Sequence, residues 1–170
     1  MPDALAVTPE VLVEIHLIER LKYAYFRCLD QKRWDEMATL LTPDIEATYS
    51  GGANSASGRD EVMDFLQRTM GSETFHSSHH GHHPEIDLVS PTEATGTWAL
   101  EDTVHLLDFD LTIRGAAFYE DRYVKVDGRW LIAATGYKRL WEEISPRGSV
   151  EGLQLTASWW RTDGRSSLTG

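Results

Sequence analysis

With 170 residues, the chain has the length of one domain and can bury an ordinary core without disulfides. Its single cysteine, Cys28, excludes a disulfide framework within the chain, and no apolar run approaches the roughly 18 residues of a membrane span. A formal charge of −11 with no dense Lys/Arg run argues against nucleic acid as a partner. The opening MPDALAVTPE carries no basic or apolar leader, so a reducing cytoplasm is the expected location.

The elements follow in chain order. Thr8-Pro9 is a helix start, with Thr8 as cap and Pro9 in the first turn. Val11, Ile15, Ile18, Leu21, Tyr25 and Leu29 then recur at helical steps to about Asp30. A short second helix is expected over residues 34–41, ending before Thr42-Pro43. Residues 45–49 read as a strand and 50–55 as a loop. A third helix is expected over residues 58–70, with Val62, Phe65, Leu66 and Met70 on its inner face.

Strand patterns dominate from residue 74 onward. Residues 74–83 lead into 84–88, and Ser90-Pro91-Thr92 marks a turn. Residues 94–107 alternate, with Trp98, Leu100 and Asp102 sharing one face. Residues 111–126 and 129–141 form a hairpin around Asp127-Gly128. Residues 146–170 form a polar tail holding Trp159 and Trp160, set apart from a single domain over 1–145. Helices followed by long antiparallel strands give an α+β class, a curved sheet wrapped around the first helix with a pocket between them.

Several residue types carry possible chemistry. Tyr25 lies on the inner stripe of the first helix, where a hydroxyl needs a partner. Asp102 alternates with apolar residues on an inward face, a costly place for an unpaired carboxylate. Asp30 at a helix end reads, taken alone, as a cap or turn residue before it reads as a functional one. Tyr49 and Trp98 read as core or pocket wall. Five histidines fall between His76 and His83, open to three readings: a solvated edge, a metal site, or one catalytic imidazole. No third ligand stands at metal-site spacing, so no metal is expected. Arg114, Lys138 and Arg139 read either as surface charge or as a seat for an anionic substituent.

Ordered segments of the chain resemble the bacterial bile-acid 7α-dehydratases. They are Tyr25-Phe26-Arg27-Cys28-Leu29-Asp30 with Trp34-Asp35-Glu36, His79-His80-Gly81-His82-His83-Pro84-Glu85-Ile86, and Ala94-Thr95-Gly96-Thr97-Trp98-Ala99-Leu100-Glu101-Asp102. Gly115-Ala116-Ala117-Phe118-Tyr119, Asp127-Gly128-Arg129-Trp130 and Thr135-Gly136-Tyr137 complete the set. The resemblance implies the cystatin-like cone of the SnoaL-like group, shared with scytalone dehydratase, ketosteroid isomerase and nuclear transport factor two. It also implies a lyase that removes water from a 7α-hydroxy-3-oxo-Δ4 steroid without a cofactor.

By position, the implied catalytic set is Tyr25, Asp30, His79 and Asp102. His79 would act as base, with Asp102 accepting its other ring N–H. Tyr25 would donate to the 3-oxygen, and Asp30 would tune the tyrosine or the pocket charge. Tyr49, His82, Trp98, Arg114 and Arg139 are the expected substrate contacts. Residues 111–114 are shorter than their counterpart, and Arg114 replaces a small amide, so the preferred steroid is expected to differ. A homotrimer is expected, with the tail docked on its own cone or a neighbour's. Other readings are an isomerase or dehydratase of another polycyclic or polyketide substrate, or a non-catalytic binder of a hydrophobic ligand.

Overall fold

The computed structural model describes residues 8–160. The leader reading of residues 1–7 and the last ten residues of the expected tail lie outside that range. The elements are helix α1 (Pro9–Asp30), α2 (Trp34–Ala38), strand β1 (Leu41–Tyr49), β2 (Asn54–Ser57), α3 (Arg59–Met70), β3 (Phe75–Ser90), β4 (Glu93–Leu106), β5 (Leu111–Val126) and β6 (Arg129–Pro146). They form one six-stranded sheet in the order β2-β1-β6-β5-β4-β3. The β1–β6 pair is parallel and the other four are antiparallel.

The sheet curls around α1. Thr8 caps the helix, its hydroxyl accepting from the Val11 N–H at 3.3 Å. Ile18, Leu21, Tyr25 and Leu29 are buried, as the stripe predicts, but so are Lys22, Phe26 and Cys28. The buried face is wider than one stripe because the concave sheet covers α1 from two sides. Ile18, Met37, Leu41, Ile45, Trp98 and Ile132 anchor the core with no exposed surface.

Three boundaries differ from the sequence expectation, each for a tertiary reason. α2 stops at Ala38 because Leu40 and Leu41 are taken into the sheet; the Ile132 N–H donates to the Leu40 carbonyl at 2.9 Å and Leu41 pairs with Ile132. Pro43, which has no N–H to give, sits where the β1–β6 register shifts. The expected 50–55 loop contains a 3₁₀ turn over Ser50–Gly52 and the start of β2, which closes a short hairpin on β1. β6 runs on to Pro146 because the first residues of β5 need a partner: Arg114 pairs with Glu143 and Leu111 with Pro146. The hairpin at Asp127-Gly128 forms as read, both residues in the left-handed region at φ 50° and 79°.

Beyond β6, part of the tail docks on its own cone. The Lys32 ammonium lies 3.8 Å from the Trp160 ring centroid and donates to the carbonyls of Ser72 at 2.7 Å and Phe75 at 2.8 Å. Among the described residues, no helix is long and apolar enough to cross a membrane.

Candidate active site

Register decides what faces the interior. On β3, His79 points inward while its neighbours Ser78 and His80 are exposed. On β4, Leu100, Asp102 and Val104 point the same way, and His79 stands directly opposite Asp102 in the ladder. Together with Tyr25 from α1, these side chains line a cavity of about 280 Å³ between α1, α3 and the sheet. Its volume lies at the small end of ligand pockets. Tyr25, Tyr49, Tyr119 and Tyr137 furnish an aromatic floor; Met70, Phe75, Leu106 and Ile113 furnish an apolar surround.

His79 is held by Asp30, and here the sequence expectation is corrected. The ring Nδ1–H donates to Asp30 Oδ1 at 2.6 Å, and the His79 backbone N–H donates to Asp30 Oδ2 at 2.9 Å. Ser77 adds a third bond, its hydroxyl donating to Oδ1 at 2.8 Å. Burial alone would raise the Asp30 carboxyl, but the bonds from His79 and Ser77 outweigh it and hold the group below its ordinary value. An ionised carboxylate only accepts, so Nδ1 carries the proton and Nε2 is left as the basic nitrogen. Phe26 stacks on the imidazole at 6.5 Å between centroids and 10° between planes. The ring is thus fixed by a carboxylate at one edge and an aromatic face.

Asp102, expected to take that role, is instead committed to Arg139. The guanidinium donates from Nη1 to Oδ1 at 2.6 Å and from Nη2 to Oδ2 at 2.9 Å, a bidentate pair. The carboxylate is 5% exposed and the guanidinium 20%, so the pair presents itself to the cavity without becoming fully desolvated. Arg139 also meets Glu142, Nε to Oε2, at 3.0 Å. Its place depends on Gly115: a Cβ there would stand 2.5 Å from Nη1.

The Tyr25 and Tyr49 hydroxyls share a hydrogen bond of 3.5 Å. Burial pushes Tyr25 well above the usual phenol range and Tyr49 to about 12, so both remain neutral donors across neutral pH.

Three expected contacts lie elsewhere. His82 is exposed on the outer face of the sheet, its ring 6.1 Å from that of His80 and 5.9 Å from that of His83. Arg114 pairs with Thr103, one position out of phase with Asp102, and is likewise exposed on the outer face. Trp98 is fully buried, but its indole N–H donates to the Tyr123 hydroxyl at 2.9 Å in the core away from the cavity. Among the described residues, no three His, Cys, Asp or Glu side chains come together as a metal-holding group.

The sequence reading passed over Lys22 and Asp121. They form an ion pair at 2.7 Å with both side chains at 0% exposure, behind the floor of the cavity. A signal existed in each case: Lys22 interrupts the apolar face of α1 beside Leu21, and Asp121 alternates inward between Tyr119 and Tyr123. Tyr119 and Tyr137 were also not singled out as pocket residues.

This architecture is shared with known structures. A protein from Novosphingobium aromaticivorans DSM 12444, described as a scytalone dehydratase, superposes with a TM-score of 0.75 at 29% identity, covering 81% of this chain and 91% of its own. Hexachlorocyclohexane dehydrochlorinase LinA-type3 from Novosphingobium barchaimii LL02 superposes with a TM-score of 0.72 at 18% identity, covering 85% and 94%. A cystatin-like protein from Nostoc punctiforme PCC 73102 gives a TM-score of 0.63 at 19% identity, covering 79% and 95%. The SnoaL-like domain profile matches residues 10–135, and on the strength of that match and this cystatin-like cone the chain belongs to the SnoaL-like domain family.

Proposed function

We propose that this chain is a lyase, a dehydratase that removes water from a hydroxylated polycyclic ketone, with a 7α-hydroxy-3-oxo-Δ4 steroid of the bile-acid type as preferred substrate. The observation that carries the reading is the His79–Asp30 pair on the wall of a cavity floored by neutral phenols. In such a substrate the hydrogen at carbon 6 is acidic because its anion is conjugated through the enone to the 3-oxygen. His79 Nε2 takes that proton, and Asp30 stabilises the imidazolium that results. The electron pair moves into the enone, and the charge reaching the 3-oxygen is met by the hydroxyls of Tyr25 and Tyr49. The imidazolium then returns its proton to the 7-hydroxyl, which departs as water and leaves a 4,6-diene.

Two relatives of the same fold are named for eliminations, one of water and one of hydrogen chloride, which is the reaction class proposed here. Asp102 and Arg139 serve as a polar seat for a substrate oxygen substituent. No step needs a metal or an organic cofactor. In this reading the small cavity receives the reacting rings.

The test is incubation with a panel of 3-oxo-Δ4 steroids hydroxylated at different ring positions, followed by ultraviolet absorption. Growth of an absorbance at longer wavelength with the 7α-hydroxy compound is the expected result. A shifted double bond without loss of water would make the protein an isomerase. Tight binding with no spectral change would make it a carrier and overturn the reading.

A further inference from the structure

The Lys22–Asp121 pair takes no part in the chemistry above, yet its surroundings point to the cavity. Asp121 accepts from three donors: Lys22 at 2.7 Å, the Thr135 hydroxyl at 2.7 Å and the Tyr123 hydroxyl at 2.7 Å. Lys22 Nζ also lies 3.5 Å from the Thr135 hydroxyl. Its remaining side faces aromatic rings, with the Tyr119 centroid 3.8 Å away, Tyr25 4.6 Å and Phe26 5.1 Å. Tyr119 and Tyr25 line the cavity and Lys22 does not. The ammonium therefore lies behind two rings that line the cavity.

Stability alone does not account for such a pair. Desolvating two charges is expensive, and well-packed apolar side chains of similar volume often hold a core equally well. A desolvated cation does something an apolar group cannot: it is drawn to the faces of the rings and so fixes their planes. Fixing the planes fixes where the hydroxyls point. We propose that Lys22, with Asp121 as its counter-ion, is a positioning residue that holds the Tyr25 ring, directly and through the Tyr119 ring packed edge-on against it, so that the Tyr25 hydroxyl points where negative charge develops on a bound substrate. The proposal rests on the elimination described above for its kinetic consequence, but not for its structural one.

Removing Lys22 alone would strand a buried carboxylate, so the test uses the neutral pair Lys22→Met/Asp121→Asn. Lys22→Gln/Asp121→Asn, which retains a hydrogen bond between the two sites, is the second variant should the first not fold. With the folded variant, kcat should fall by about 10-fold at little change in KM, part of the roughly 10²–10³-fold that an oxyanion donor is worth. In a Tyr25→Phe background the same changes should lower kcat by less than about 2-fold, because the hydroxyl they position is gone. An equal drop in both backgrounds, or no drop in either, overturns the proposal. A merely structural pair would move the melting temperature alike in both backgrounds and leave kcat per folded molecule alone.

If no steroid in the panel is turned over, the dehydratase reading fails, and this proposal is decided by nuclear magnetic resonance of ring-labelled tyrosine. Faster ring flips of Tyr25 and Tyr119 in the neutral-pair variant support it. Unchanged flip rates overturn it.

Discussion

Asp30 and Asp102 are carboxylates on the wall of one cavity, and their partners give them different work. Asp30 carries three donors from His79 and Ser77, whereas Asp102 is closed into a bidentate pair with Arg139. His79→Ala should therefore lower turnover by about 10²–10⁴-fold with binding nearly intact, as expected for a general acid–base group. Asp30→Asn should lower turnover by roughly 10²-fold, because the amide offers the imidazolium no charge. The same carboxyl also dictates a pH signature. Its folded pKa lies below the unfolded one, so its stabilisation is complete above the ordinary carboxylate range and is lost as pH falls through the folded value. Urea midpoints between pH 5 and 3 should fall more steeply for the wild type than for Asp30→Asn; parallel curves would remove Asp30 from this role. Asp102→Asn acts by another route, leaving Arg139 a poorer partner. It should cost up to about 3 kcal/mol of stability, the low end for breaking a buried pair.

At the scale of elements, strand register is what assembles the site. β3 and β4 place His79 opposite Asp102, β6 brings Arg139 across, and β5 must leave room between them. Gly115 leaves that room. A Cβ there would meet Arg139 Nη1 at 2.5 Å, Cζ at 3.0 Å and the Trp141 carbonyl at 3.1 Å, so Gly115→Ala must displace the guanidinium or the strand. Gly128 is the useful contrast: it has φ +79° and nothing within 4 Å of a built Cβ, so Gly128→Ala is strained only in its backbone. Gly128→Ala should lose roughly 1–2 kcal/mol with normal turnover per folded molecule. Gly115→Ala should lose turnover as well, approaching Arg139→Ala. Denaturant midpoints and turnover measured on the three variants separate strain from displacement.

At the scale of the whole molecule, the concave face of the sheet is filled by α1 and the cavity, while the convex face carries exposed apolar groups. Phe118 and Trp141 project there among the histidines and Arg114. We propose that copies of the chain associate, as a trimer in preference to a dimer. Multi-angle light scattering at micromolar concentration should give about three chain masses, and a monomer would remove this proposal. Trp160 is already engaged with Lys32 of the same chain, so docking of the described part of the tail does not require a neighbour.

The features legible in the sequence are those set by near neighbours along the chain. The helix start at Thr8-Pro9, the left-handed pair Asp127-Gly128, the inward alternation ending at Asp102 and the inner-stripe place of Tyr25 depend on local backbone geometry and periodicity. The ordered resemblance brought Asp30 and His79 forward as candidates, and Arg139 stood out as a basic residue in the last strand. What tertiary structure alone decided is which charge meets which. His79 and Asp102 are ladder partners, yet the imidazole is taken by Asp30 from the end of α1, and Asp102 by Arg139 from a strand two places away. Arg114 and His82 fall outside because one position of strand phase exchanges the cavity for the outer face. Lys22 and Asp121, separated by most of the chain, find each other only because the sheet closes around α1. In a low-dielectric interior each buried charge must find a partner, and the fold as a whole selects that partner.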